Sequence, residues 1–376
     1  MREHPVICMR IGVNARTFST EEPGGAVQAA KSLTEKLVSD PEVDVVLFGN
    51  EKVTEEFGHV PLDSRYYIQS SREFGVIWER LMLPNLIKNH DLDILFCPNG
   101  NAPMISTEIP VITWIHDVGA QKGWMDPIHR LYRNISLPRT VSVSDRIVTT
   151  SEFTKREIQE ELKAPSDKID IIYNGIDKFY LEASKGESIG IPEKYLLFVT
   201  SSMELGTRKN LDTVIEAFEI LKQEHDTNHK LILVGGENEE IYNNTSVSRD
   251  DIKMMGYISK PNLKYMYSNA DVFLFPSLHE GFGLPPLEAM ACGTPIITSN
   301  VASMPEVLDG GGILIDPEDP LEMVEEIIKL QDTKYRRDIL NGQQGIPERF
   351  TWESTKNRFI STVNKVIDDE IDSGSS

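Results

Sequence analysis

The sequence of 376 residues has few cysteines, no long apolar run and a shortage of positive charge. Its three cysteines, Cys8, Cys97 and Cys292, are too few for a disulfide framework and lack the spacing of a metal site, which favours a reduced, cytoplasmic compartment. No segment approaches the roughly 20 apolar residues that a membrane-spanning helix needs, and Met1–Asn14 lacks the apolar stretch of a signal peptide. We therefore expect a soluble protein that is at most peripheral to the inner face of a membrane.

The balance of charge limits the partners. Lysine and arginine number 38 against 59 aspartates and glutamates, a formal net charge of -21. Such a chain repels phosphate backbones, so we expect no general nucleic-acid binding. The best candidate for a local basic patch is His129-Arg130-Leu131-Tyr132-Arg133, with Arg139 beyond it, although a solvated helix face is the simpler interpretation.

Two rounds of one alternation run along the chain. Short β-rich segments alternate with longer amphipathic ones, which is typical of a doubly wound parallel sheet. The first half has predicted strands at Ile7–Val13, Val43–Phe48, Ile94–Cys97, Val111–His116 and Arg146–Thr150. The second half has predicted strands at Tyr195–Thr200, Lys230–Val234, Ile252–Met255, Val272–Phe275, Pro295–Thr298 and Gly312–Ile315. Because the length exceeds that of one usual domain, we predict an α/β fold of two Rossmann-like doubly wound domains facing a cleft.

The intervening segments predict helices and a domain boundary. The helices are expected at Ala26–Ser39, Trp78–Asn89, Leu211–Lys222, Asn262–Ser268, Pro285–Cys292 and Leu321–Leu330. A polar, turn-rich stretch between Asp177 and Ile191 predicts the join, which gives domains at 1–180 and 181–350. A last helix at 351–368 need not belong to the second sheet, and the acidic, Ser/Gly-rich tail 369–376 is predicted to be disordered.

The most informative stretch runs from Phe275 to Pro295. A buried strand ends at Phe275, a glycine-containing loop follows, and Pro285-Pro286 opens a helix, where the missing N–H of proline costs nothing. The loop places the flexible backbone of Gly281 and Gly283 beside unpaired amide donors of that helix. Such a terminus holds an anion through its N–H groups and the positive end of its dipole.

Two carboxylates, Glu280 and Glu288, flank this anion site. They are poor phosphate ligands, but a carboxylate accepts hydrogen bonds without donating and therefore suits sugar hydroxyls. Three other features also follow predicted strands: Arg208-Lys209-Asn210, Pro23-Gly24-Gly25 and His116-Asp117. Each of these alone is most often structural, as a surface pair, a turn or a buried histidine. Their shared placement at strand ends favours a site.

Together these residues resemble the family-four retaining glycosyltransferases of the GT-B fold. The Glu-x7-Glu spacing of Glu280 and Glu288 within Glu-Gly-Phe-Gly-Leu-Pro-Pro-Leu-Glu-Ala is similar to the family signature. The likeness covers nearly the whole chain and also includes Ser151-Glu152-Phe153, Asn174-Gly175-Ile176-Asp177 and Pro305-Glu306-Val307. Within the family, the sequence most resembles the mannosyltransferases and rhamnosyltransferases that build surface polysaccharides and lipid-linked glycans.

The resemblance implies an activity and its substrates. It implies retaining transfer of a hexose, with mannose first, from a GDP- or UDP-linked sugar to a glycan or lipid-linked acceptor. It further implies that the donor is held by the second domain and the acceptor by the first, with no metal and no cofactor, and that the helix at 351–368 crosses back to pack on the first domain. The leaving phosphate itself is thought to accept the acceptor's proton in this family, so we assign no general base.

The resemblance also implies roles for single residues. Glu288 would hold the donor ribose, and Glu280 would contact the transferred sugar. Arg208 and Lys209 would stabilise the charge that develops on the leaving diphosphate. The loop at Gly25 would face the donor phosphates on closure, and His116 would orient the transferred sugar. The predicted catalytic residues are thus Arg208, Lys209, Glu280 and His116, and the donor-binding residues are Gly25, Glu280, Gly281, Phe282, Gly283, Leu284 and Glu288.

One departure keeps alternatives open. Many family members carry a second arginine six residues before the lysine, where this sequence has Met203. A non-catalytic subunit that binds a nucleotide sugar is therefore one alternative. A GT-B epimerase or phosphorylase-like enzyme is another, because such enzymes share part of the Glu-x7-Glu motif. The pair Asp91-Leu-Asp93 imitates a metal-binding Asp-x-Asp motif, but it runs directly into a predicted strand.

Overall fold

The computed structural model describes residues 9–20, 24–65, 77–119, 127–183, 190–200, 203–243 and 245–374, with the backbone alone at 127–132, 373 and 374. The chain divides into two compact units. One unit comprises the residues up to Gly175 together with those from Trp352 onward, and the other is Ile176–Thr351. Each unit contains a parallel sheet and the helices that connect its strands.

The first unit is built on seven described strands. They are β1 (Met9–Asn14), β2 (Val43–Phe48), β3 (Leu62–Asp63), β4 (Ile94–Cys97), β5 (Val111–Trp114), β6 (Arg146–Thr149) and β7 (Ile169–Ile171). They pair in parallel in the order β3-β2-β1-β4-β5-β6-β7. The chain therefore moves outward from β1 in one direction and from β4 in the other.

Helices connect these strands. They are α1 (Gly25–Val38), α2 (Thr54–Phe57), α3 (Leu83–Leu86), α4 (Pro127–Val143) and α5 (Glu152–Leu162), with 3₁₀ turns at Glu51–Val53, Ile87–Asn89 and Ser166–Lys168. Side chains along β2 alternate between two cores: Val45 and Leu47 are buried with residues of α1, whereas Val46 and Phe48 are buried with Trp78. A parallel sheet buried on both faces needs such continuously apolar strands.

Two sequence predictions for this unit need correction. The single helix expected at Trp78–Asn89 is a π-helical turn at Trp78–Met82, then α3, then a 3₁₀ turn. Pro84 lacks an N–H and cannot donate to the carbonyl four residues earlier, which explains the irregular ladder. The strands β3 and β7 were not predicted, since two and three residues are too few to show a period.

The second unit is built on six described strands. They are β8 (Tyr195–Val199), β9 (Lys230–Val234), β10 (Ile252–Met254), β11 (Val272–Phe275), β12 (Ile296–Ser299) and β13 (Ile313–Ile315). All pair in parallel, in the order β10-β9-β8-β11-β12-β13. Its helices are α6 (Lys178–Leu181), α7 (Leu211–Glu224), α8 (Glu240–Asn243), α9 (Lys260–Asn269), α10 (Leu284–Ala291), α11 (Met304–Leu308), α12 (Pro320–Lys329) and α13 (Thr333–Gln343), with a 3₁₀ turn at Pro347–Arg349.

The observed division lies just before the stretch that the sequence suggested. Ile176 already bonds within the second unit, because its N–H donates to the carbonyl of Phe350 at 2.8 Å. The buried ammonium of Lys264 donates to the carbonyls of Phe179 and Glu182, which ties the segment containing α6 to α9. Residues 184–189 of the predicted join lie outside the described residues.

The last helix, α14 (Trp352–Gly374), belongs to the first unit. Its Phe359, Val363 and Val366 are buried in the core that contains α1. The helix runs beyond Asp368, so the prediction of a disordered tail is wrong for residues 369–374. An ion pair of 3.5 Å between Arg146 and Asp369 holds this extension, and residues 375 and 376 lie outside the described part. None of the helices in the described ranges combines the length and apolarity needed to span a bilayer.

The packing of α14 yields a stability prediction. The fully buried ring of Phe359 lies against Phe96 of β4, with centroids 4.4 Å apart. We expect Phe359→Ala to lower the free energy of unfolding of the first unit by about 3–5 kcal/mol, because the lost contacts leave a cavity. Urea unfolding measures this change. The exposed Lys365→Ala on the same helix should change stability by less than about 0.5 kcal/mol, and equal effects of the two variants would contradict the assignment.

Candidate functional site

The second sheet has a reversal of strand order between two neighbouring strands. From β8 the chain moves outward to β9 and β10, and from β11 it moves the other way to β12 and β13. Because β8 and β11 are parallel, both end at the same edge of the sheet. Loops that leave such a point in opposite directions open a crevice in which ligands of α/β proteins bind. The segments 203–210 and 276–283 lie in these two loops.

A cluster of opposite charges joins the two loops. Lys209 Nζ donates to Glu280 Oε1 at 2.6 Å, and Arg208 NH1 donates to Glu280 Oε2 at 3.2 Å. Arg208 NH1 also donates to the carbonyl of His279 at 2.7 Å. Only 11% of the Glu280 side chain is exposed, so the carboxylate depends on these partners. The structure thus brings together three of the four predicted catalytic residues.

The electrostatics of the cluster follow from this geometry. Burial alone would raise the pKa of Glu280, but the charges of Lys209 and Arg208 and the hydrogen bonds of Lys209 and Ser277 lower it to about 2. Glu280 is therefore ionised throughout the physiological range. The cluster contains two cations and one anion, and this net positive charge suits an additional anion.

Two serines that sequence analysis missed support the loop after β11. Ser277 Oγ lies 2.8 Å from Glu280 Oε1 and 2.9 Å from the carbonyl of Arg208. The fully buried Ser303 Oγ lies 2.9 Å from the carbonyl of Glu280 and 3.2 Å from that of Phe282. Ser277 stands inside the recognised motif, but Ser303 is 23 residues from Glu280 and gave no signal.

The start of α10 corrects one expectation about amide donors. Gly283 is its N-terminal capping residue with φ +94°, and a Cβ there would lie 2.3 Å from Met304 Cε, so only glycine fits. Pro285 and Pro286 follow in the first turn and carry no N–H. Of the several amide donors that the sequence predicted at this terminus, only those of Gly283 and Leu284 remain.

Phe282 differs from its neighbours in the direction of its side chain. Its ring is 4% exposed and packs edge-on against Phe350 at 5.5 Å between centroids. Its ring is therefore packed inside the unit, and its carbonyl lies 3.2 Å from Ser303 Oγ. Gly281 is buried beside it, and Leu284 is half-buried at the first position of α10.

Glu288 lies on α10 in a different environment from Glu280. The hydroxyl of the fully buried Tyr267 donates to Glu288 Oε2 at 3.2 Å. Burial raises the pKa of Glu288 to about 7, although the hydrogen bond from Tyr267 and the charge of Lys260 act in the opposite direction. The two carboxylates of the motif thus differ in charge near neutral pH. Sequence analysis did not find Tyr267, which lies on another helix.

The first sheet has its own reversal of strand order, between β1 and β4. The loop after β1 leads to Gly24 and Gly25, where α1 begins without a side-chain cap. Neither glycine has a positive φ, and a Cβ at either would meet no atom within 4 Å. The packing of the unit therefore does not require glycine at these positions. Pro23 lies outside the described residues.

His116 follows β5 at the same edge of the first sheet. Its Nε2 lies 2.8 Å from the carbonyl of Pro98, and its ring stacks on Trp114 with centroids 4.6 Å apart. Burial lowers the pKa of His116 to about 4, against the opposing effect of the hydrogen bond to Pro98. The ring is therefore neutral at pH 7. Because Nε2 donates to a carbonyl, Nδ1 is the acceptor of the ring.

A buried ion pair lies beside the loop after β1, and the sequence did not predict it. Glu79, 1% exposed, accepts from Asn14 Nδ2 at 2.6 Å and from Arg16 Nε at 3.1 Å. It holds the start of the loop that leads to Gly25. Its sequence position inside an apparent helix gave no indication of this contact. Among the residues that the structure describes, no group of three His, Cys, Asp or Glu side chains is placed to hold a metal ion.

Comparisons with known proteins agree with these two sheets and their motifs. Residues 23–178 match the family model described as Glycosyltransferase Family 4, and residues 182–343 match the one described as Glycosyl transferases group 1. The two matches together account for most of the chain.

Two relatives are mannosyltransferases by name. The chain is 31% identical to O-antigen chain mannosyltransferase B of Escherichia coli over 240 residues, 61% of this chain and 63% of the relative. It is 29% identical to O-antigen chain mannosyltransferase RfbU of Salmonella typhimurium over 244 residues, 64% of this chain and 65% of the relative. Each match spans less than two thirds of the relative's own length.

A solved structure shares the fold over nearly the whole chain. Anabaena HepE in complex with UDP-glucose superposes with a TM-score of 0.74 at 17% identity, covering 95% of this chain and all of that one. At that identity the likeness establishes the fold alone. The two family matches show that this chain belongs to the family-four glycosyltransferases, the likeness to HepE shows the GT-B fold, and the relatives place the chain in the mannosyltransferase-like subgroup.

Proposed function

We propose that this glycosyltransferase moves a hexose, with mannose as the first candidate, from a GDP- or UDP-linked donor with retention of configuration. The observation that carries the proposal is the cluster of Arg208, Lys209 and Glu280 at the strand reversal of the second sheet. The O-antigen mannosyltransferase relatives support mannose, and the complex of HepE with UDP-glucose supports a nucleotide-sugar donor.

The negative charge of the leaving diphosphate explains the role of the two cations. When the glycosidic bond breaks, negative charge develops on the departing diphosphate, and fixed positive charge stabilises that transition state more than the ground state. Lys209 and Arg208 supply this charge from the protein, so the proposed reaction is independent of a metal ion. Their side chains are 19% and 28% exposed, which keeps solvent screening low.

The two carboxylates have separate proposed roles. Glu280 contacts hydroxyls of the transferred sugar, and its pKa of about 2 keeps it a hydrogen-bond acceptor. Glu288 accepts from the donor ribose. The amides of Gly281, Gly283 and Leu284 and the backbone of Phe282 complete the donor-binding set.

We propose that the first unit binds the acceptor, with His116 and Gly25 as its ligand-facing residues. The neutral ring of His116 cannot stabilise a phosphate, but its Nδ1 can accept from a sugar hydroxyl and orient it. The small residue Gly25 leaves the first amides of α1 open to an anion. No dedicated nucleophile or base is assigned, because the leaving phosphate accepts the proton of the acceptor on the same face of the sugar.

Exposed apolar side chains support a glycan acceptor that is linked to a lipid. Leu81, Ile105 and Ile135 are 51%, 49% and 63% exposed. Their three segments meet at Met104, which contacts Arg80 NH1 at 3.6 Å and accepts from Arg139 Nε at 2.7 Å. Exposed apolar side chains on neighbouring segments suit contact with a membrane surface. We therefore propose a cytoplasmic enzyme that contacts the inner face of a membrane peripherally.

The charge cluster generates the first activity prediction. The donor for this assay is found by a thermal-shift screen of GDP-, UDP- and dTDP-linked sugars. The nucleotide sugar that raises the Tm of the wild-type protein most is used. With water as the acceptor, we expect Lys209→Ala and Glu280→Ala each to lower the rate at which the donor is hydrolysed to free sugar and nucleoside diphosphate by about 10²-fold or more, the scale of a lost charge-stabilising group. Lys230→Ala is the control, because it removes a lysine bound to Asp251 at the opposite edge of the same sheet. Near-normal rates in either site variant would contradict the assigned roles.

The raised pKa of Glu288 generates a pH prediction. Below pH 7 the carboxyl is protonated in the free protein, and above pH 7 it is ionised and able to accept from two hydroxyls. Affinity for the nucleotide sugar should therefore fall by up to about tenfold per pH unit below 7. The diphosphate of the nucleotide sugar is esterified at both ends, so it does not titrate between pH 5 and 8. Calorimetric titration from pH 5 to 8 tests this, and Glu288→Gln should flatten the profile; a wild-type profile equally flat would exclude the role.

The apolar surface generates a membrane prediction. We expect the double variant Leu81→Asp/Ile135→Asp to bind vesicles of phosphatidylcholine and phosphatidylglycerol at least about tenfold more weakly, since each buried aliphatic side chain contributes about 1.5–3 kcal/mol. Leu321→Asp, at a 55% exposed leucine of the second unit, is the matched control. Co-sedimentation measures the binding. Equal sedimentation of the double variant and the wild type would rule out this surface.

A further inference from the structure

Asn210 follows the two cations directly and has an unusual backbone. It is the capping residue at the N-terminus of α7, and its φ of 59° and ψ of 41° lie in the left-handed region. Asparagine tolerates that region better than most residues with a side chain. It is 8% exposed. The proposed function gives Asn210 no role.

The side chain of Asn210 does not cap its own helix. An asparagine at this position usually accepts from an N–H of the first helical turn, but Asn210 makes no such bond. Its Oδ1 instead accepts from the hydroxyl of Thr213 at 2.9 Å. Its Nδ2 donates to the carbonyl of Pro276 at 3.0 Å and to that of Pro317 at 2.6 Å. Both hydrogens of the amide thus bind the loops that follow β11 and β13.

These bonds fix the backbone on one side of Lys209. On the other side, the carbonyl of Arg208 accepts from the N–H of Leu278 at 2.8 Å. The peptide that carries Lys209 is therefore attached at both ends to the loop that carries Glu280. Lysine has a long flexible side chain, so the position of its ammonium depends on how well its Cα is held.

We propose that Asn210 is a positioning residue that holds Arg208 and Lys209 in register with the loop after β11, so that both cations meet the outer phosphate of a nucleoside diphosphate. The inference rests on the proposed function, because it takes these cations as diphosphate ligands. Errors of about 1 Å in such positions cost up to about 10²-fold in rate. Loss of the amide should therefore weaken recognition of the second phosphate and leave recognition of the nucleoside unchanged.

The test compares diphosphates with monophosphates. Asn210→Gly keeps the left-handed backbone and removes only the side chain. Calorimetric Kd values are measured for GDP against GMP and for UDP against UMP. The wild type should prefer the diphosphate of the base it binds, and Asn210→Gly should lose about tenfold or more of that preference. Its affinity for the monophosphate should change by less than about threefold. A merely structural role would weaken both nucleotides alike.

A matched control removes the same kind of bond elsewhere. Asn269→Ala deletes an amide that donates to the carbonyl of Tyr265 at 2.7 Å, at the end of α9 and before β11 begins. It should keep the wild-type preference. If Asn210→Gly does not fold, Thr213→Val takes its place, because it removes only the hydroxyl that orients Asn210. That variant should lose the preference in the same direction but by less.

The outcomes separate the inference from the function on which it rests. A folded Asn210→Gly with the wild-type preference for diphosphate overturns the positioning role, and so does an unchanged preference in Thr213→Val when the glycine variant does not fold. A wild-type protein that binds diphosphate and monophosphate equally contradicts the proposed function instead. If Asn210→Gly selectively loses the preference for diphosphate, and its kcat falls by a larger factor than its KM rises, the result supports both the positioning role and the proposed function.

Discussion

The second unit depends on the pairing of one buried carboxylate with two cations. Glu280 would be unfavourable at 11% exposure without Lys209 and Arg208, because a buried charge must be compensated. The pair also fixes two loops that leave the sheet in opposite directions at one edge. Removing either charge would leave the other uncompensated, so the same contacts serve folding and the proposed chemistry. A net positive charge results where an anionic donor would bind.

The two units offer different chemistry at corresponding edges of their sheets. In the second, fixed charges and an ionised carboxylate suit a diphosphate and a sugar. In the first, the charged pair of Arg16 and Glu79 is turned inward to hold a loop, and the group beyond β5 is the neutral ring of His116. A neutral acceptor suits hydroxyls rather than phosphates.

The strands were predictable where they are long and apolar. The bounds of β2, β4, β9 and β11 agree with the sequence to the residue, because both faces of each sheet are buried and these strands are apolar except at Asp44 and Lys230. The errors have equally local causes. β3 and β7 are too short to show a period, Pro84 interrupts the segment at 78–89, and α14 continues into a tail whose composition indicated disorder.

The sequence by itself determined which residue types follow which strands: the cation pair after β8, the two glutamates eight positions apart after β11, and the histidine after β5. It determined the grouping of the cations and the glutamates, because the parallel strands β8 and β11 end at one edge of the second sheet. Only the tertiary structure decided the partners, since Tyr267 and Ser303 reach the two glutamates from other elements, and Asn210 bonds carbonyls 66 and 107 residues further along the chain. It also decided that Glu280 is ionised and Glu288 half-protonated near pH 7. Those states depend on burial and neighbouring charge, which a linear pattern does not specify.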